Sequence, residues 1–510
     1  MIETRQEREN ILSELGTAFR HTVIYGLGNV LAKALGFLML PLYTRYLTPM
    51  DYGTLEILDL SMSLFGMFLT MGMIAAILRC YAAAKSQSEK KRVISTAMVF
   101  VLITGILTFF AGTAFLRPIS HLLLGPKVSP TYLLISFSAF ICSYITTVPR
   151  TYLRAKEASG TFTLVSNVSL GLLLILNVYF VVVLKIGLVG ILWSSLIVNG
   201  MNLLALSVWA VRDAGLHFSL LWIRELFAFG GPLMFSNLAV FALNFSDRFF
   251  LQHLQNLEIV GLYAVGYKFG YMMNYLIVQP FYVMWQARMY AVHDQPNHEK
   301  IFSRIFVLYS LILIYSGVTL AVLSSEIIHL MVGPKFASSQ AVVPVVVLAY
   351  VFWGIGFYVQ VGMFVTNRTG PVALVGAIAA VLDLALNYVL ILRYGMMGAA
   401  WATLLSFGVM AAASYWYSQR VFPLRLGVRR VTAMLIVAVT LYFVSGWANS
   451  QRWHLAVSFK ALLLLAFPVI LWKFQILAPA ETETIWAAWQ GCRNRVWRLA
   501  GSALGKAANA

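Results

Sequence analysis

Charge is what this 510-residue chain has least of. Only 11% of its residues are Asp, Glu, Lys or Arg, while 60% are apolar. A water-soluble domain carries about 25% charged residues. So little charge excludes a soluble globular protein, and no stretch could hold a sizeable water-soluble domain. Cysteine is scarcer still. Cys80, Cys142 and Cys492 lie far apart and match no metal or redox spacing, so neither a disulfide framework nor a metal site is expected. There is no Walker-type phosphate loop, no zinc-protease motif and no nucleophile elbow. The eight histidines are scattered and form no ligand pair at i, i+4. None of this calls for a cofactor or for covalent catalysis. The first twenty residues are polar and mixed in charge, without the architecture of a cleaved signal peptide. The first membrane helix is therefore expected to act as an uncleaved targeting signal.

What is there instead is a series of apolar runs near 20 residues long, each enough to cross a hydrocarbon core of about 30 Å. Hydropathy predicts fourteen spans, beginning near residues 22, 54, 93, 131, 162, 188, 226, 259, 301, 339, 370, 396, 431 and 456. The formal net charge of +18 reads as topology and not as nucleic-acid binding. With the N-terminus in the cytoplasm, 26 of the 37 Lys and Arg fall on that side, nine on the other, and Lys33 and Lys268 inside spans. The positive-inside rule then puts both termini in the cytoplasm. The cluster KSQSEKKR at 85–92 is the clearest pointer.

One phrase is written almost twice. HLLLGPK, His121 to Lys127, returns as HLMVGPK, His329 to Lys335, 208 positions on. Gly53 pairs with Gly261 at the same offset, and GLVGILW (Gly187 to Trp193) with GMMGAAW (Gly395 to Trp401). The chain is therefore two copies of one unit of roughly 200 residues, too long for a solenoid repeat. Each copy holds six spans, an even number, so both enter the membrane the same way. Such parallel halves of transporters rock about a site at their interface. The expected organisation is a cytoplasmic segment 1–21, an N-lobe 22–212 (spans 1–6), a C-lobe 226–420 (spans 7–12), spans 13–14 within 431–473, and a basic tail 474–510. The tail carries Trp486, Trp489 and Trp497 with Arg493, Arg495 and Arg498, which suits either a helix on the leaflet surface or a disordered basic segment.

Charges inside spans are costly, about 2.5–3.5 kcal/mol at mid-bilayer, and usually face a protected cavity. Lys33 sits in span 1 with Asn29 one turn before it, and Arg45 follows. Glu56 and Asp59 share a face of span 2. Asn237, Phe241 and Asn244 run at helical spacing up to Asp247 and Arg248 in span 7, and Lys268 in span 8 is followed by Tyr271, Asn274 and Tyr275. Asp383 lies in the apolar run of span 11. Bland readings stand beside these. Glu56 can sit at an interface, Asp247 and Arg248 can pair at headgroup level, Asp383 can be glue between helices, and the aromatics of span 8 can be packing. Lys33 and Lys268 have apolar flanks on both sides, beyond the reach of a snorkelling stem. Cations in a cavity would hold a phosphate or acidic sugar through charge-assisted hydrogen bonds. Glu56, Asp59, Asp247 and Asp383 are the candidates to bind a coupling proton or Na⁺.

Residues 25–60, YGLGNVLAKALGFLMLPLYTRYLTPMDYGTLEILDL, resemble the opening of the polysaccharide-biosynthesis flippases. Residues 244–270, NFSDRFFLQHLQNLEIVGLYAVGYKFG, resemble the start of their second half. These flippases belong to the multidrug/oligosaccharidyl-lipid/polysaccharide exporter superfamily. The resemblance covers spans 1 to 12. It implies two six-helix lobes forming a V around a central cavity; with the two further spans that hydropathy gives, the expected fold is an all-α integral membrane protein of about fourteen helices. It also implies a polyprenyl-diphosphate-linked oligosaccharide as substrate, flipped to the outer leaflet of the bacterial inner membrane for polysaccharide or O-antigen assembly. Membrane lipid, and a glycan polymerase or other assembly proteins, are the partners it implies. Lys33, Arg45, Arg248 and Lys268 are the positions that fit the family's cationic cavity. Related flippases of peptidoglycan precursor have fourteen spans, the last two forming a lipid-tail groove; spans 13 and 14 could play that part here, with no motif there to mark it. Three rival readings remain. A multidrug or cation antiporter of the same superfamily would favour a carboxylate-dominated cavity and twelve spans. An integral-membrane polymerase or acyltransferase would need an acid/base pair, often on a long external loop. A scaffold without transport would tolerate the loss of Lys33 and Lys268.

Overall fold

The computed structural model describes residues 37, 39–450, 453–479, 481–483 and 490. Among them there is no β-strand. The helices run α1 Leu40–Tyr46, α2 Pro49–Thr70, α3 Met73–Ala83, α4 Gln87–Ala114, α5 Leu116–Leu124 and α6 Pro130–Ala155. Then come α7 Ser159–Val178, α8 Leu188–Ala214, α9 Leu220–Leu254, α10 Leu257–Met273, α11 Gln279–His293 and α12 His298–Val322. The last six are α13 Ser324–Met331, α14 Val343–Val359, α15 Val361–Val365, α16 Gly370–Val421, α17 Val428–Gly446 and α18 Trp453–Lys473. The tail residues Trp486, Trp489, Arg493, Arg495, Trp497 and Arg498, on which either reading of the tail rests, lie outside the described residues.

Among the described residues, ten helical stretches are long and apolar enough to cross a membrane. Their outer faces carry large apolar side chains in the open, such as Leu204 at 70% exposure and Phe110 at 67%. In water such a surface would drive aggregation; against hydrocarbon it is the natural exterior. The chain is a multi-pass membrane protein.

Local sequence sets the ends of the helix that matters most here. The phrase TPMD starts α2. Thr48 accepts the Asp51 N–H, Asp51 accepts the Thr48 N–H at 3.1 Å, and Pro49 takes the first helical turn, an N-cap box in which each partner satisfies an orphan donor. Met71 and Gly72, both left-handed, end the helix.

The duplication read from the sequence recurs in the structure. α2 begins at 49 and α10 at 257, and α5 begins at 116 and α13 at 324, each pair 208 apart. Gly187 has φ 61°, ψ −136° and Gly395 has φ 55°, ψ −133°. Two glycines at the repeat offset thus share one left-handed conformation that a side chain would strain. Gly187 opens α8. Gly395 breaks the 52-residue stretch α16, which is therefore two successive spans. The two GPK phrases are used differently. Among the described residues, a Cβ on Gly125 would meet nothing, whereas one on Gly333 would run into the Thr44 backbone, and the Gly333 N–H donates to Thr44 Oγ1 at 3.1 Å.

The chain forms two compact units. One comprises Met1–Lys268, Ile327–Val342 and Ala373–Ser406. Its apolar core runs through α3, α4, α6 and α8, with Ile77, Val93, Ala97, Val148, Tyr152 and Ala210 among its members. The other comprises Phe269–Glu326, Val343–Val372 and Phe407–Ala510. Aromatic stacking dominates there: Phe281 lies on Tyr309 with ring centroids 3.8 Å apart, and Trp285 lies on Tyr358 at 5.3 Å.

Candidate functional site: a shared carboxylate between the two repeats

Within the first unit, α2 of the first repeat and α10 of the second touch backbone to backbone. A Cβ built on Gly53 would stand 1.8 Å from the Leu257 carbonyl oxygen, and one on Gly261 would stand 1.9 Å from that of Pro49. Only glycine permits this approach. One turn along α2 from Gly53, Glu56 projects into the seam.

Two cations of the second repeat meet there. Lys268 Nζ lies 3.3 Å from Glu56 Oε2 and donates to the Tyr52 hydroxyl at 2.7 Å. Arg248, its side chain 1% exposed, brings Nε to 3.9 Å from Glu56 Oε1. That separation is an ion pair and not a hydrogen bond, and Arg248 Nε has no hydrogen-bond partner among the described residues. The rest of the guanidinium is held elsewhere. Nη1 contacts Asp247 Oδ1 at 2.6 Å and the Asn244 carbonyl at 2.7 Å. The guanidinium carbon lies 3.8 Å above the Tyr267 ring centroid, a cation–π contact that suits a desolvated arginine. Tyr263 donates its hydroxyl to Asp247.

These groups differ in access. Arg248, Asp247 and Asn244 are buried, whereas the Lys268 side chain is 42% exposed. A buried cation with two carboxylates is a fixed structural element, because removing one member strands a charge at low dielectric. The half-open Lys268 can exchange Glu56 for another anion. Asp59, one turn beyond Glu56, is exposed and makes no ion pair among the described residues.

A second polar cluster lies in the same unit. Asp383, 1% exposed, accepts from Asn387 Nδ2 at 2.9 Å and from Ser246 Oγ at 3.3 Å, all on Oδ2. Among the described residues its Oδ1 and the Asn387 Oδ1 are buried with no hydrogen-bond donor. Buried oxygens of this kind are rare and ask for a proton, a water or a cation.

The other expected residues are distributed as follows. Arg45 is exposed at the end of α1, beside Thr44. Asn237 is exposed on α9, and the Asn244 amide donates to the Val240 carbonyl of its own helix at 2.9 Å. Tyr271 and Asn274 fall in the second unit. The Tyr271 ring contacts Tyr275 at 4.6 Å and Tyr350 at 5.4 Å, and the buried Asn274 opens a π-turn after α10. Lys33 and Asn29 lie outside the described residues. The structure adds partners that sequence reasoning did not single out. Tyr52, Tyr263, Ser246 and Asn387 complete the clusters, and a buried pair joins Lys460 Nζ to Glu326 Oε1 at 2.7 Å in the second unit.

A family described as "Polysaccharide biosynthesis protein" matches residues 18–284. No curated protein matches the chain. Among solved structures, the fold is similar to "Lipid II flippase MurJ, inward closed conformation", at TM-score 0.70 and 14% identity, over 89% of this chain and 100% of that one. It is also similar to "Inward-facing conformation of a multidrug resistance MATE family transporter of the MOP superfamily", at TM-score 0.61 and 14% identity, over 79% and 95%. At such identities the likeness is one of fold.

Proposed function

The chain belongs to the polysaccharide biosynthesis protein family, and from that premise we propose that it flips a lipid-diphosphate-linked oligosaccharide across a bacterial inner membrane by alternating access. The seam of Glu56, Lys268 and Arg248 beside Gly53 and Gly261 carries this reading. A sugar-diphosphate headgroup cannot enter hydrocarbon, since each unpaired polar group costs several kcal/mol. A cavity with cations solves that problem for the headgroup while the polyprenyl tail stays in lipid. In this reading the diphosphate competes with Glu56 for Lys268, and the seam parts as the carboxylate is displaced. Arg248 keeps its buried partners throughout. To the substrate contacts we also assign, on their place in the sequence, Lys33, Asn29, Arg45, Asn237, Tyr271 and Asn274. No bond is made or broken, and the reading needs no catalytic group. The similar folds include proteins named as a flippase and a transporter, which supports transport over an enzymatic role. Both termini lie in the cytoplasm, and the product serves surface polysaccharide or O-antigen synthesis.

Coupling to H⁺ or Na⁺ belongs to the same proposal. Asp383, whose Oδ1 has no hydrogen-bond donor among the described residues, is the strongest carboxylate for it; Glu56 and Asp247 are already neutralised by cations. Asp59, exposed and without an ion pair among the described residues, favours one second reading, a multidrug or cation antiporter, in which a carboxylate meets the substrate.

The deciding experiment replaces Lys268 and Lys33 by Ala, separately and together, in cells making a lipid-linked oligosaccharide. Outer-leaflet oligosaccharide should collapse at unchanged membrane levels of the protein. Normal flipping in the double variant would overturn the reading. Loss of drug resistance with Asp59→Asn, with flipping absent in the parent protein, would favour the antiporter.

A further inference from the structure

The second unit holds a cavity of about 530 Å³ that the transport reading does not use. Four cations line it, Lys300, Arg304, Arg425 and Arg430, against two carboxylates, Glu299 and Glu481. They come from three separate parts of the chain: the first turns of α12, the start of α17 with the connection before it, and the segment after α18. That last segment is tied in place. Arg430 Nη1 donates to Glu481 Oε1 at 2.7 Å, and Glu481 Oε2 accepts the Ala478 N–H at 2.7 Å. Glu481 is buried, whereas Lys300 and Arg425 are exposed.

The positive-inside bias explains why such residues are basic. It does not explain why distant segments converge on one walled space, or why a buried carboxylate holds Arg430 by one edge of its fork. Two helices also begin here, α12 at His298 and α17 at Val428. Helix starts carry about half a positive charge and favour phosphate. Arginine forks match phosphate oxygens bidentately, and lysine adds a point charge. By the Lys and Arg count the cavity opens on the cytoplasmic side, where anionic headgroups concentrate and basic pockets between membrane helices take them up.

We propose that this cavity binds a phosphate group, either on an anionic phospholipid of the inner leaflet or on a soluble phosphate compound. Arg425 and Lys300 supply the exchangeable contacts. Arg430 is the fixed one, aimed by Glu481.

The test uses the full-length protein in detergent and compares it with Lys300→Ala/Arg425→Ala. Both residues are exposed, so the variant should fold, and an unchanged Tm is checked first. In one arm, native mass spectrometry follows binding of phosphatidylglycerol against phosphatidylethanolamine. In the other, calorimetry follows inorganic phosphate and pyrophosphate. Preference for phosphatidylglycerol that falls about tenfold or more in the variant assigns the site to a phospholipid. Phosphate or pyrophosphate binding lost in the variant, without a lipid preference, assigns it to a soluble ligand. Equal retention of both lipids together with no phosphate binding, or binding that the double substitution leaves unchanged, would overturn the proposal. A Glu481→Gln variant guards the result, since freeing Arg430 should alter the affinity without removing a cation.

Discussion

Gly53 and Gly261 occupy the same position in the two sequence repeats, and they lie against each other in the fold. Each has room for a hydrogen and nothing more, because the opposite helix's carbonyl oxygen sits within 2 Å of where a Cβ would be.

Replacing either glycine by alanine should therefore destabilise the protein. In a free helix the same change stabilises by about 1 kcal/mol, so the sign itself is diagnostic. Forcing a methyl into this contact should cost about 1–3 kcal/mol or more. Gly200 lies in α8 with open space around it, and Gly200→Ala should be neutral or better. Thermal unfolding of the three variants in one detergent makes the comparison. A stable Gly53→Ala protein would mean that α2 and α10 do not meet in this way.

Arg248→Met leaves Asp247 and Glu56 without their buried cation. Breaking a buried pair costs about 3–5 kcal/mol, so expression and Tm should fall sharply. Arg248→Met/Asp247→Asn should recover much of the loss. If the double variant is no better than the single, the pairing energy lies elsewhere. Lys268→Ala should cost far less stability, since its side chain is half open, and should act on transport instead.

Lys460→Met should be destabilising because it strands Glu326, which lies 2.7 Å from the lysine nitrogen. Lys460→Met/Glu326→Gln should regain stability, and a double-mutant cycle should return a coupling of about 1–3 kcal/mol. Additive single effects would show that the pair contributes nothing to joining α18 to α13.

Asp383→Asn keeps the shape of the buried cluster with Asn387 and Ser246 while removing its charge. In proteoliposomes the variant should fold as well as the parent and lose its response to an imposed Na⁺ or pH gradient. A gradient response equal to the parent's would take ion coupling away from this carboxylate.

Most of the architecture was legible in the sequence because a membrane simplifies the rules. An apolar run near 20 residues long can do little except span, and the repeat phrases announced the duplication. Glu56, Arg248, Lys268 and Asp383 were legible for the same reason, as charges in a medium that penalises them. Their partners were not. A tyrosine in a span reads equally as packing or as interface, so nothing marked Tyr52 or Tyr263 as hydroxyl partners. Lys460 illustrates the limit from the other side. Near the start of its span it counted with the residues outside the membrane, yet it is 1% exposed within α18. Hydropathy measures how apolar a stretch is, not which face of a helix meets another helix.

The contact between Gly53 and Gly261 bears on what a single chain can encode and a pair of identical chains cannot. In a dimer of two identical half-chains this glycine would meet its own copy on the two-fold axis. Position 56 would then face the copy's equivalents of 248 and 268 under one constraint, that both halves carry the same residues. In the present chain the equivalents of Glu56, Lys268 and Arg248 in the other repeat are Ala264, Leu60 and Leu40. A single chain is free of that constraint. One half carries the acid and the other the bases, an asymmetric lock that no homodimer with a single such seam could encode.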